Sequence, residues 1–173
     1  MTDNLPTRTS YPPDHADDDH DNGTMPQAVA ELAQAVVGRR IVSAERQHIN
    51  ADDYQTVNYG GDGYISLTYG NDPIVLTLDN GRRVALVENG DCCAYTYIRE
   101  FLLHPDSVDH AITGVATEDG YETWHILADL GDVMTLDVNW SAGNPFYYTY
   151  GFTIAVSTTI DGTVVDDQKA IEP

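Results

Sequence analysis

Positive charge is scarce in this chain. Eight Lys and Arg stand against 28 Asp and Glu in 173 residues, a net charge of −20. A surface of that sign repels phosphate backbones and anionic lipid, so direct nucleic-acid contact and membrane binding are not expected. Long apolar runs are missing as well, and none approaches the roughly 20 residues that span a bilayer. The opening residues, MTDNLPTRTSYPPD, lack the charged-then-apolar pattern of an export signal. There are two cysteines, the adjacent Cys92 and Cys93, which cannot staple distant segments together. A protein of a reducing cytoplasm is the expectation. Neither a βαβ rhythm nor a glycine-rich phosphate loop is present, which disfavours nucleotide-binding folds, and no cofactor is expected.

What the chain does contain is organised in three parts. Residues 1–23 hold three of the eight prolines, the acidic run DHADDDHDNG and almost nothing apolar, the composition of a disordered arm. Residues 24–160 form a single β-rich domain, and 161–173 a frayed tail. In TMPQAVAELAQAVVGRR, Thr24 sits at an N-cap with Gln27 three residues on, Pro26 lies in the first turn, and Gly38 suits the stop. Val29, Leu32, Ala33 and Val36 share one face, so an amphipathic helix is predicted over 26–37.

Beyond Gly38 the apolar period falls to two. Ile41–Ala44 starts a strand, and YQTVNYG with YISLTYG (54–60 and 64–70) reads as a hairpin rich in Tyr and Thr. PIVLTLDNGRRVALVENG predicts a second hairpin about Asn80-Gly81, because tight turns need the positive φ these residues tolerate. A third turns at Asp119-Gly120, and strands follow in 133–140 and 147–160. Eight or nine short strands after one helix predict a mainly β fold, an antiparallel β-sandwich or open barrel.

Neither catalysis nor a metal is expected, but the residues that would carry them can be named. A cysteine nucleophile needs a cation, a helix N-terminus or a histidine to lower its pKa. Asp91 beside Cys92 and Cys93 works against this, so a helper must come from afar, His104, His110 or His125, of which His125 follows Trp124 on a predicted strand. His104, Asp106, Asp109 and His110 crowd one loop and could offer His and carboxylate ligands, although Pro105-Asp106-Ser107 is ordinary turn chemistry. DDDHDNG fails as a calcium loop, because His20 and Val29 fall where Asn/Asp and Glu are required. The tyrosines are the other signal. Tyr147, Tyr148 and Tyr150, with Tyr59 and Tyr64 in the other Tyr-rich stretch, suit cross-strand packing first and a protein-binding surface second.

VVGRRIVSAE (36–45), LTLDNGRRVALVENGDCCAYTYI (76–98) and ITGVATED together resemble an uncharacterised domain family of actinobacteria and their phages, a domain of unknown function. The matching positions are Gly38, Asn80-Gly81, Gly90-Asp91-Cys92-Cys93 and Ile112 to Val115, within roughly residues 36–160. The acidic arm and the stretch INADDYQTVNYGGDGYISLTYGN are additions to that pattern. The resemblance implies a compact β-rich domain of actinobacteriophage origin and no particular activity. The expected function is therefore a non-enzymatic phage accessory protein, an acidic domain engaging a host or phage protein, basic in the favoured case, in the cytoplasm of a bacterial host. A virion-associated structural or decoration protein is the alternative, and a small metal- or thiol-dependent enzyme the second.

Overall fold

A computed structural model describes residues 25–57, 65–67, 70–90, 95–140, 152–160 and 163–164. The expected arm, the Thr24 cap, Cys92, Cys93 and the tyrosines at 59, 64, 147, 148 and 150 lie outside these residues. Helix α1 runs Met25–Val36 and buries Met25, Ala28, Leu32 and Val36. Their spacing of three and four residues makes one stripe, with Val29 and Ala33 on its margin. Gln27, placed for a capping box, donates its amide to Glu31 at 2.7 Å. Gly38 ends the element at φ +82°, the left-handed conformation that favours glycine. Its N–H then donates to Ile112 O at 2.8 Å, and Ile112 N–H returns to Arg39 O at 2.8 Å.

The strands in chain order are β1 (Ile41–Arg46), β2 (Tyr54–Thr56), β3 (Ile74–Leu78), β4 (Arg83–Glu88), β5 (Thr96–Leu103), β6 (Ile112–Glu118), β7 (Thr123–Ala128), β8 (Gly131–Trp140), β9 (Phe152–Ser157), β10 (Thr159–Ile160) and β11 (Thr163–Val164). The first sheet has five strands in the order β1-β3-β4-β9-β2, and the second has four in the order β5-β8-β7-β6. β10 and β11 make a separate two-stranded ribbon. All pairings in both sheets are antiparallel, and neither sheet closes into a barrel. The expected mainly β, sandwich-like architecture is what the chain adopts. Between Asn80-Gly81 and β4 the hairpin turns as expected, with Gly81 at φ +80°. Tyr54–Thr56 departs from the expected hairpin with 64–70. It pairs with β9, and residues 65–67 are not strand. The reason is burial, since β9 offers this short segment a covered sheet edge.

One core joins both sheets and the helix. Leu76, Leu86 and Ile154 from the first sheet meet Trp124, Leu136 and Val138 from the second and Leu32 from α1. Trp124 packs edge-on against Phe152 with ring centroids 5.6 Å apart, and its indole N–H donates to Tyr121 O at 2.9 Å. That bond satisfies the one polar atom of the largest buried side chain. A second, smaller cluster lies on the other face of the first sheet, where Ile49, Tyr54 and Ile65 cover Val75, Ala85, Val87 and Ala155. β3, β4 and β9 are thus buried on both faces. This explains why they read as continuous apolar runs, IVLTL, VALV and FTIAV, without alternation.

The sheets are also stitched by charge. Glu88 ends β4 with its side chain 1% exposed. It accepts hydrogen bonds from Arg46 Nη2 at 3.1 Å, Ile98 N–H at 3.0 Å, Asn71 N–H at 2.9 Å and Asn71 Nδ2 at 3.2 Å. Arg46 in turn donates to Ile98 O at 2.5 Å and Asp72 O at 2.8 Å. Ile98 lies on β5, the edge of the second sheet, so two side chains of the first sheet satisfy both its backbone groups. Gly70 at φ +94° passes so close that a Cβ there would sit 2.8 Å from Glu88 Oε2.

Truncating Glu88→Ala leaves Arg46 and the Ile98 N–H without their acceptor, and is expected to lower unfolding stability by about 3–5 kcal/mol in denaturant titration. Gly70→Ala should destabilise in the same direction, because the new methyl meets the carboxylate. The Tyr54 hydroxyl presents the converse case. It is buried and has no hydrogen-bond partner among the described residues. Burial raises its phenol pKa above the ordinary value, partly offset by the nearby Arg83 charge. Tyr54→Phe removes an unsatisfied group and is expected to leave stability unchanged or raise it by about 1 kcal/mol.

Candidate functional site

Strand alternation decides which side chains of the second sheet face away from the core. Ile98, Leu136, Val138, Trp124 and Ile126 point inward. The register sets the remainder in two rows across the sheet. Glu100 lies opposite Asp137, and Asp137 opposite Thr123, which faces Glu118. In the next row Leu102 lies opposite Thr135, Thr135 opposite His125, and His125 opposite Ala116. A bulge between Ile98 and Glu100 inserts Arg99, whose Nε and Nη2 donate to Asp137 Oδ2 at 3.0 and 2.5 Å. The hydrogen bond to Asp137 raises the Arg99 pKa above its ordinary value, so this cation is permanent.

These rows flank an open groove of about 630 Å³, lined by Arg46, Arg99, Leu102, Thr123, Thr135 and Asp137 among others. Leu102 is 58% exposed there, an apolar side chain in a polar frame. Both arginines of the groove are already held by carboxylates, Arg46 by Glu88 and Arg99 by Asp137.

Histidines supply the remaining basic groups of this sheet. His125 Nδ1 lies 2.8 Å from Asp132 Oδ2, and its Nε2 lies 3.3 Å from Glu118 Oε1. His104 Nε2 lies 3.4 Å from Thr135 Oγ1. His110 Nδ1 lies 2.8 Å from Asp129 Oδ1 in the β7–β8 turn.

The structure therefore separates the candidate metal ligands. His104 faces β8, His110 faces the β7–β8 turn, and Asp106 and Asp109 are exposed. Turn bonds from Ser107 N–H to His104 O and from His110 N–H to Ser107 O account for the loop. No group of three His, Cys, Asp or Glu that could hold a metal ion occurs among the described residues. His125 is on β7, beside Trp124 as expected, and both its ring nitrogens face carboxylates. The other catalytic candidates, Cys92 and Cys93, and all five candidate binding tyrosines lie outside the described residues.

Two groups escaped the sequence reading, Glu88 and the acids flanking His125. A signal existed for the second. From Glu100 to Gln168 there is no Lys or Arg, so β6, β7 and β8 carry no permanent cation. Glu88 left no such trace, because its arginine is 42 residues away.

Fold and face together define a two-sheet antiparallel β domain with an acidic, histidine-bearing outer surface. The chain belongs to the family described as Domain of unknown function (DUF7448), whose model matches residues 34–154, from the last turn of α1 into β9. No curated protein and no solved structure matches it. No helix among the described residues is long and apolar enough to cross a membrane.

Because the loop residues do not converge, any zinc-induced change in melting temperature should be the same in a His104→Ala/His110→Ala variant as in the unmodified protein. A shift that the double variant abolishes would show that these residues do bind the ion.

Proposed function

We propose that this is a non-enzymatic, acidic protein-binding domain that docks a basic protein on the outer face of its second sheet. The observation that carries the reading is the one-sided charge. Glu100, Asp106, Asp109, Glu118, Asp119, Glu122, Asp129, Asp132 and Asp137 all fall within the second sheet and its turns, with Arg99 as the one permanent cation between Arg83 and Lys169. Field lines from such a face attract cationic surfaces and repel anionic ones. The exposed Leu102 within the groove adds the apolar centre that interfaces place inside a polar rim.

A non-enzymatic role is supported by His125. Both its ring nitrogens face carboxylates, so among the described residues its partners are acids and not a nucleophile. An accessory role in a bacteriophage, exercised in the cytoplasm of its host, rests on the resemblance carried by the hairpin and the Gly-Asp-Cys-Cys segment.

Affinity capture from a bacterial host lysate tests the reading. The protein is expected to retain a basic partner whose recovery falls about tenfold from low to high salt. Leu102→Lys, at an exposed position, should reduce recovery to a similar degree. Salt-insensitive capture, or equal capture by the variant, would count against this face.

A further inference from the structure

We propose that Glu118, His125 and Asp132 form a proton-dependent clasp across the second sheet, in which an imidazolium ion on β7 ties the end of β6 to the start of β8. Carboxylate oxygens only accept, so a bond at each ring nitrogen requires an N–H on each. Neutral imidazole carries one N–H, and the cation carries two. With Nδ1 at 2.8 Å from Asp132 and Nε2 at 3.3 Å from Glu118, both bonds form together only when the cluster holds the additional proton.

The surroundings make that proton consequential. The His125 side chain is 12% exposed and that of Asp132 is 21% exposed, so water replaces these bonds poorly. Asp132 Oδ1 is buried with no hydrogen-bond partner among the described residues, which leaves His125 as the charge partner of this carboxylate. Groups face the ring from each neighbouring element. Glu118 comes from β6, and Asp132 and Thr135 from β8, while His104 at the end of β5 stands behind Thr135. Farther along the face, Arg99 is engaged by Asp137 and cannot substitute.

Loss of the proton leaves a ring that donates to one carboxylate and turns a lone pair toward the other. Glu118 is the arm that releases, being the more distant and the more exposed at 37%. It immediately precedes the β6–β7 turn, where Asp119 and Tyr121 hold φ values of +54° and +71°. Releasing Glu118 therefore loosens a turn already under backbone strain. The doubly protonated ring holds both carboxylates, so the clasp is made on the acid side and undone when the ring gives up one N–H.

The test combines ring ¹⁵N NMR with thermal unfolding of the full chain at about pH 5.5 and about pH 8. At the lower pH the His125 ring should show two N–H groups. Glu118→Gln should lower Tm there by at least about twice as much as at the higher pH. Because Glu118 is partly exposed, this variant avoids the folding risk of His125→Gln. A ring with a single N–H at both pH values, or an equal loss of Tm at both, would overturn the clasp.

Discussion

Arg46 and Glu88 lie on strands that are not neighbours in their own sheet, yet they converge on a single residue of the other sheet, Ile98. An edge strand presents unpaired N–H and C=O groups that would otherwise need water or another chain. Here the carboxylate takes the N–H and the guanidinium takes the C=O, so the open side of β5 is closed by side chains at Ile98. A buried acid tolerates this position because four donors surround it, one of them charged. Gly70 completes the arrangement by leaving room for the carboxylate. The relative placement of the two sheets, and with it the shape of the outer groove, depends on this contact. Arg46 belongs to both.

The apolar core supplies the bulk of the driving force, but it is permissive about register between sheets. Aliphatic contacts among Leu76, Leu86, Leu136 and Val138 are non-directional, whereas the Glu88 bonds are not. On the outward side the second sheet carries the reverse economy of charge. Its acids outnumber its cations, and histidine is the basic group placed among them. The proposed attraction of a basic partner and the proposed sensitivity to protons share one origin, the scarcity of lysine and arginine.

Much of this was legible in the residues. The helix stripe, the Asn80-Gly81 and Asp119-Gly120 turns and the β6, β7 and β8 strands each carry a local period or a local turn requirement, and each stands where that requirement puts it. The pairing of Tyr54–Thr56 was not legible. Its Tyr- and Thr-rich sequence resembles residues 64–70, but similarity of composition does not determine which edge a strand joins. The long-range partner β9 does, by covering Tyr54 against Ala85, Val87 and Ala155.

The candidate sites divide along the same line. His104, Asp106, Asp109 and His110 are close in sequence, but the turn directs the two imidazoles to different partners, Thr135 and Asp129. His125 was visible as a strand histidine, while its carboxylates were not, because they approach from β6 and β8 across the ladder. The sequence by itself determined the charge, the β-rich class and the local turns, since these follow from composition and short-range periodicity. Only the tertiary structure decided that Glu88 would hold Arg46 and Ile98, and that Glu118 and Asp132 would enclose His125. Those contacts depend on sheet order and register, which no local pattern encodes.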